Sequence, residues 1–217
     1  MTPWDGEPVV CVVDDDDAFR DSLVWLLQTA GHVVVAFSSA EALLARGDPD
    51  QPGCMLLDIR MPGMMGLELQ SELGRRNYTA PVIFITGHGD VPMAVNAMQK
   101  GAFHFLEKPF NDRVLLDVVA RAIAADRVQR QARARKAAIA ARLGKLTPRE
   151  RDVMHCVVAG KLNKVTADEL GVSIKTVEAH RAQLMKKLGV DSTAELVRML
   201  LEIGDGLGSD RSGRPKS

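Results

Sequence analysis

The run Val9-Val10-Cys11-Val12-Val13 followed by Asp14-Asp15-Asp16-Asp17 constrains the fold more than any other stretch of the chain. Five consecutive apolar residues, four of them β-branched, predict a strand buried on both faces, the pattern of a parallel sheet. Such a strand ends in a loop at its carboxyl edge, where open α/β sheets place their ligands. Carboxylates gathered there repel one another and lose hydration, which is unfavourable unless a cation neutralises them. An aspartate run also suits a helix N-terminus or a solvated loop. However, a second short apolar run, Cys54-Met55-Leu56-Leu57, also ends in an aspartate, Asp58. Two strands delivering carboxylate to one edge predict a hard-cation site with oxygen ligands, of the open kind Mg²⁺ prefers.

A chain of 217 residues is long for one domain and comfortable for two. Its net charge of zero hides an asymmetry. Residues 1–126 hold 9 Lys+Arg against 18 Asp+Glu, a balance of −9, and residues 127–217 hold 19 against 10, a balance of +9. An acidic half joined to a basic half suits a metal-binding domain followed by a nucleic-acid-binding one, although two solvated surfaces of opposite sign would give the same count. The three cysteines, Cys11, Cys54 and Cys156, sit in apolar runs without metal-ligand spacing. Core thiols of this kind fit a reducing cytoplasm. Residues Met1 to Pro8 lack the pattern of a secretion signal, and no segment approaches 18 apolar residues, so no membrane span is expected.

After the aspartates, Phe19, Leu23, Leu26, Leu27 and Ala30 recur at helical spacing up to Gly31, which places Asp16 and Asp17 at a helix N-terminus and leaves Asp14 and Asp15 at the strand edge. Val33 to Phe37 reads as the next strand, and Ser38 or Ser39 caps a short helix through Ala45. Gly47 to Gly53 is turn-rich, Cys54 to Leu57 is the third strand, and a loop from Met61 to Gly66 leads to a helix from Leu67 to Arg76. Pro81 to Thr86 is a fourth strand, and Gly87 to Asp90 connects it to a helix from Val91 to Lys100. Ala102 to Leu106 is the fifth strand, before a helix from Phe110 to Ala125. Five strands alternating with five helices predict an α/β, doubly wound, five-stranded parallel sheet. One carboxyl edge then collects Asp14, Asp15, Asp58, Thr86 and Lys108. Each alone is unremarkable, and a lone Lys108 reads as a surface lysine. Together they can hold a divalent cation, offer a carboxylate nucleophile, and bind phosphoryl oxygens through a hydroxyl and an ammonium.

With those motifs in place, residues 7–125 resemble a response-regulator receiver domain of the flavodoxin-like fold. The carriers are Asp14-Asp15, Asp58, Thr86 and Lys108-Pro109, and Thr86 to Val95 is similar to the FixJ subgroup in particular. The resemblance implies phosphorylation at Asp58. It also implies Mg²⁺ ligation by Asp15 and Asp58, by Asp14 through water, and by the backbone carbonyl of Arg60. Thr86 and Lys108 would contact the phosphoryl group, and Phe105, three residues before the lysine, occupies the switch-aromatic position. Taking Asp15 as the metal ligand puts Arg20 five residues on, the spacing usual in receivers. Arg60 and His88 stand where receivers tune phosphoaspartate lifetime, and bulk there suggests a shielded, long-lived acyl phosphate.

Residues 126–145 form a helical linker: Arg, Gln and Ala dominate and Pro is absent, so the preceding helix can continue. Val128, Ala132, Arg135 and Ile139 make a weak stripe, which leaves both a solvated spacer and a dimerising coiled coil open. Arg127, Arg130, Arg133, Arg135 and Lys136 could touch DNA phosphates, but a spacer needs no such role. Thr147-Pro148-Arg149-Glu150 is a capping box with Pro at the first helical position, opening a helix that runs to Ala159. Asn163 can cap a second, stopped at Gly171, and Ser173 a third, from Ile174 to Leu188. Ser192-Thr193-Ala194-Glu195 is a further capping box opening a fourth. This all-α four-helix pattern has helix-turn-helix geometry, although periodicity alone also allows a protein-interaction module. On the third helix Val177, His180, Leu184 and Leu188 share one face, with His180 either at the core edge or reading bases. Glu178 can accept from cytosine amino groups and Arg181 can reach guanine. Lys164, Lys175, Lys186 and Lys187 can position the helix on phosphates.

Leu146 to Met199, within a domain expected over 146–204, resembles a LuxR-type (NarL/FixJ) DNA-binding domain, on Leu146-Thr147-Pro148-Arg149-Glu150-Arg151, Ala159-Gly160, Asn163-Lys164, Glu169-Leu170-Gly171-Val172-Ser173, Thr176-Val177, His180-Arg181 and Met185-Lys186-Lys187-Leu188-Gly189. The resemblance adds Thr147 and Thr176 to the DNA contacts and makes Leu196 to Ile203 a dimerisation candidate. Thr166 departs from it, standing where an isoleucine usually faces the core. Residues 205–217, rich in Gly, Ser and Arg, are expected to be a disordered tail. The two resemblances imply a cytoplasmic two-component response regulator, not an enzyme. A sensor histidine kinase phosphorylates it, and it then dimerises, binds a promoter operator and acts on RNA polymerase. A dehalogenase-type phosphatase would need a second Asp where Arg60 stands. A constitutive DNA binder with a receiver used only for dimerisation is the other rival, and the intact acidic site argues against it.

Overall fold

The computed structural model describes residues 8–46, 53–87 and 91–204. It divides into two compact units between Arg130 and Gln131. In the first, strands and helices alternate as β1 (Val9–Val13), α1 (Asp17–Thr29), β2 (Val33–Phe37), α2 (Ala40–Arg46), β3 (Cys54–Asp58), α3 (Gly66–Arg75), β4 (Val82–Thr86), α4 (Val91–Gln99), β5 (His104–Glu107) and α5 (Asp112–Gly144). The sheet is wholly parallel in the order β2-β1-β3-β4-β5. Every residue of β1, β3 and β4 is buried, as their unbroken apolar runs require. Strand alternation splits these side chains between two layers. Cys11, Val13, Met55, Leu57 and Phe84 pack with Leu43, Leu69, Leu73 and Ala97 of α2, α3 and α4. Val10, Val12, Leu56, Ile83 and Ile85 pack on the other face with Leu23, Leu27, Leu115 and Val119 of α1 and α5. Each fully buried Val, Leu, Ile, Phe or Met among them contributes about 1.5–3 kcal/mol.

Most boundaries fall within a residue of the sequence expectation, and the larger differences are at β5 and α5. β5 begins at His104 because Gly101 turns the chain at φ 86° and the Ala102 amide still bonds Ala97 O at the end of α4. α5 runs past Ala125 because nothing in the Ala/Arg/Gln segment stops a helix. The expected turn over 47–53 and His88 lie wholly or mostly outside the described residues, as does the expected tail at 205–217.

The second unit holds the last turns of α5 with α6 (Pro148–Val158), α7 (Asn163–Leu170), α8 (Ile174–Leu188) and α9 (Thr193–Glu202). The connector stripe divides. Val128 is 68% exposed, whereas Ile139 is buried among Leu146, Val153, Leu184 and Leu196. Residues 127–138 are solvated throughout, but Arg135 binds Glu202 (Nη2 to Oε1 2.7 Å) and Arg142 donates to Leu188 O at 3.2 Å. The end of the connector is therefore structural.

The capping box at Thr147 forms as expected. Its Glu150 does more than cap: buried at 4% exposure, it also receives Lys187 Nζ at 2.7 Å and so ties the start of α6 to the end of α8. The Lys187 ammonium first, and the Thr147 amide second, hold its carboxyl below the usual range. Ser173 caps α8, and Gly171 turns at φ 65°. Asn163 is not a cap. Leu162 takes the N-cap position of α7, and Asn163, one residue inside, accepts instead from Arg181. At α9, Ser192 caps Glu195 N, but Glu195 reaches back to the Asp191 amide, so the box is shifted by one residue. Thr166 is buried, as expected for a core-facing position.

Candidate functional site

The strand order reverses direction between β1 and β3, and ligands of open α/β sheets bind outside the carboxyl ends at that switch point. β1 leads there directly into Asp14, and β3 ends there at Asp58. Asp14 is buried. Its Oδ1 accepts from Asp16 N (2.9 Å), and its Oδ2 accepts from Lys108 Nζ (2.9 Å). Asp15 is exposed, and Asp16 turns away to cap α1 at Phe19 N, which separates the aspartate run into two pairs as expected. Arg20 donates to Asp14 O at 2.8 Å and pairs with Asp17, which fixes the loop from behind.

Asp58 is 8% exposed. Its Oδ1 receives no hydrogen bond among the described residues; the nearest cation, Lys108 Nζ, is 3.9 Å away. Burial pushes its carboxyl up to about 6, Asp14 and Asp15 push the same way, and Lys108 opposes them. Ligand oxygens of Asp14, Asp15 and Asp58 all lie within 4.8 Å of one another. Three hard oxygen donors, one of them buried and unpaired, fit a divalent cation such as Mg²⁺ with open coordination positions. Thr86 ends β4, buried, and its carbonyl accepts from Lys108 N at 2.8 Å. Lys108 follows β5 directly. All five edge residues therefore converge. Phe105 pairs in register with Phe84 and is half-buried against the α2–α4 layer. The Arg60 side chain is exposed, two residues past Asp58.

Two residues of this site escaped the sequence reading. Gly66 opens α3 with its backbone pressed on Asp58: a Cβ built there would lie 2.2 Å from Asp58 O. Only its place in a glycine-containing loop hinted at this. Phe19, read as part of the α1 stripe, puts its ring under Lys108, with Nζ 3.6 Å from the centroid.

On the second unit, Lys175, Glu178, Ala182 and Lys186 are exposed and spaced three or four apart, so they share one face of α8. Lys164 is exposed on α7, and Thr147 is exposed at the start of α6. Thr176 is half-buried and bonds Ser173 Oγ at 2.8 Å. His180 is half-buried. Arg181 is engaged within the unit, donating to Asn163 Oδ1 (3.3 Å) and Thr193 Oγ1 (2.9 Å), which links α8 to α7 and α9.

Residues 10–120 match the response regulator receiver domain family, and residues 144–200 match the luxR family of bacterial regulatory proteins. The chain belongs to the response regulators. This response regulator is 46% identical over 196 residues to nodulation protein W of Bradyrhizobium diazoefficiens, across 90% of this chain and 86% of that one. Against the transcriptional regulatory protein FixJ of Azorhizobium caulinodans it is 45% identical over 195 residues, 90% of this chain and 92% of the relative. Among solved structures, the response regulator StyR is similar with TM-score 0.85 at 42% identity, covering 91% of this chain and 100% of that one. Full-length FixJ from B. japonicum has TM-score 0.56 at 42% identity, covering 91% and 97%. The chain is thus a two-component, FixJ-like transcriptional regulator that joins a receiver to a LuxR-type DNA-binding domain, and not an enzyme. No helix among the described residues is long and apolar enough to cross a membrane.

Proposed function

We propose that a sensor histidine kinase phosphorylates Asp58, and that the phosphorylated protein dimerises and binds a promoter operator to regulate transcription. One observation carries this reading: a buried, unpaired carboxylate oxygen of Asp58 faces two further carboxylates and the Lys108 ammonium. Asp15 and Asp58, Asp14 through water, and the Arg60 carbonyl would hold Mg²⁺, which would supply positive charge against the carboxylates and the phosphoryl oxygens. Asp58 supplies the attacking oxygen, and the hydroxyl of Thr86 and the ammonium of Lys108 bind the transferred group. Thr86 moves toward the new charge, Phe105 closes behind it, and the α4–β5 face changes shape. That face then dimerises the receiver or frees the DNA-binding domain, and α9, with Leu201 70% exposed, is a second dimerisation surface.

The receiver spans 7–125, the linker 126–145 and the DNA-binding domain 146–204, with a tail at 205–217. Two-fold dimers call for two-fold operators. Lys175, Glu178 and Lys186 present the reading face of α8. Lys164, Thr147 and Thr176 help to position it, and Arg181 acts from its bridge between Asn163 and Thr193. The bound dimer contacts RNA polymerase, in the cytoplasm. Treated with phosphoramidate and Mg²⁺, the full chain is expected to gain one phosphoryl group by intact mass, and to gain none with Asp58→Ala or excess EDTA. An equal gain in the Asp58→Ala protein would place the phosphoacceptor elsewhere.

A further inference from the structure

Lys108 approaches Asp58 from an aromatic seat. Its Nζ lies 3.6 Å from the Phe19 ring centroid, 2.9 Å from Asp14 Oδ2 and 3.9 Å from Asp58 Oδ1. The ring is itself fixed: Phe110 meets it edge-on, with centroids 6.1 Å apart and planes at 81°, and both rings pack on the α1–α5 layer of the core. The lysine side chain is only 20% exposed, so the contact is made largely away from water, where a cation over a π face is held most strongly. Without such a seat, a four-carbon stem with free rotamers spreads its charge over many positions. Asp14 alone fixes one distance, and a second contact is needed to fix a direction.

We propose that Phe19 is a positioning residue for phosphoryl transfer: its ring and Asp14 together hold the Lys108 ammonium beside Asp58, where the incoming phosphoryl oxygens meet it. This rests on the reading of Asp58 as phosphoacceptor. In the transfer, an Asp58 carboxylate oxygen forms the O–P bond as the donor's P–N bond breaks. The bonding pair leaves with the nitrogen, which takes a proton from water. Charge on the phosphoryl oxygens then meets an ammonium already in place, rather than one that must first be ordered. A leucine at position 19 would fill the same core space but offers no π face.

The test uses the full chain with lysine side chains isotopically labelled, together with Phe19→Leu and Phe19→Tyr. Ring currents are expected to move the Lys108 ε-methylene protons upfield in the wild type and in Phe19→Tyr, and not in Phe19→Leu. The initial rate of phosphorylation by phosphoramidate with Mg²⁺ is expected to fall about three- to tenfold in Phe19→Leu, and Phe19→Tyr restores most of it. Unshifted Lys108 protons in the wild type would overturn the proposal without any variant, even if Phe19→Leu failed to fold. A folded Phe19→Leu protein phosphorylated at the wild-type rate would overturn it alone, leaving the assignment of Asp58 intact. A wild type that accepts no phosphoryl group would remove both.

Discussion

Asp58→Asn is expected to make the receiver more stable at pH 7 in the absence of divalent cations, by about 2 kcal/mol. The carboxyl of Asp58 rises to about 6 in the folded protein, chiefly through burial and then through Asp14 and Asp15, against 3.8 in an open chain. The ionised form is therefore disfavoured in the native state. A shift of this size corresponds to about 3 kcal/mol, and screening on the open, Asp15 side of the pocket reduces it to about 2. The sign follows from proton linkage. Between the two values the native state binds more protons than the unfolded one, so wild-type stability falls as pH rises from about 4 to about 6 and then levels off. The advantage of Asp58→Asn is thus full above about 6, shrinks on acidification and vanishes below about 4. Urea titrations of both proteins in EDTA at several pH values would read it. A variant no more stable than wild type at pH 7 would show that burial does not strain this carboxylate. Millimolar Mg²⁺ should stabilise the wild type more than the variant, since ligand binding to the native state adds to stability.

Gly66→Ala is expected to destabilise the receiver by about 2–3 kcal/mol, against the usual trend for helices. Alanine inside a helix normally gains up to about 1 kcal/mol over glycine. At Gly66, however, the added Cβ would lie 2.2 Å from Asp58 O and 3.0 Å from Ile59 Cα, backbone atoms that cannot rotate aside. Relief requires α3 or the end of β3 to shift, at the cost usual for overpacking. Gly74 near the other end of α3 has open space around it and serves as the internal control. Gly74→Ala should stabilise by about 0.5–1 kcal/mol. Melting curves of the two variants with opposite signs would establish that contact with the phosphoacceptor backbone, rather than helix propensity, sets the requirement at Gly66.

The sheet and its edge were legible in the sequence because they rest on short-range signals. Unbroken apolar runs mark Val9 to Val13, Cys54 to Leu57 and Val82 to Ile85 as doubly buried strands, and parallel pairing then sends every strand end to one edge. Asp14, Asp15, Asp58 and Thr86 follow from that alone, and Lys108 follows from the fifth strand beside them. What the sequence did not reveal depends on contacts between distant segments. Nothing local to Phe19 tells a core ring from one lying under a lysine 89 residues later. The polarity of Arg181 suggested a groove-facing residue, whereas its guanidinium bridges Asn163 and Thr193. Asn163 has the chemistry of a cap, yet Leu162 occupies the cap position and Asn163, one residue inside the helix, accepts from that arginine. The connector stripe likewise could not show that Ile139 is buried while Val128 is not.

The measurement that bears most directly on the switch is a DNA-binding titration on randomised duplexes, made with the full chain untreated, with Mg²⁺ and phosphoramidate, and with Asp58→Ala under the same treatment. Phosphorylation of Asp58 as the trigger requires the donor to select one duplex sequence and tighten binding to it only when Asp58 is present. Equally tight binding in all three samples would contradict it and identify a DNA-binding protein whose receiver does not control it.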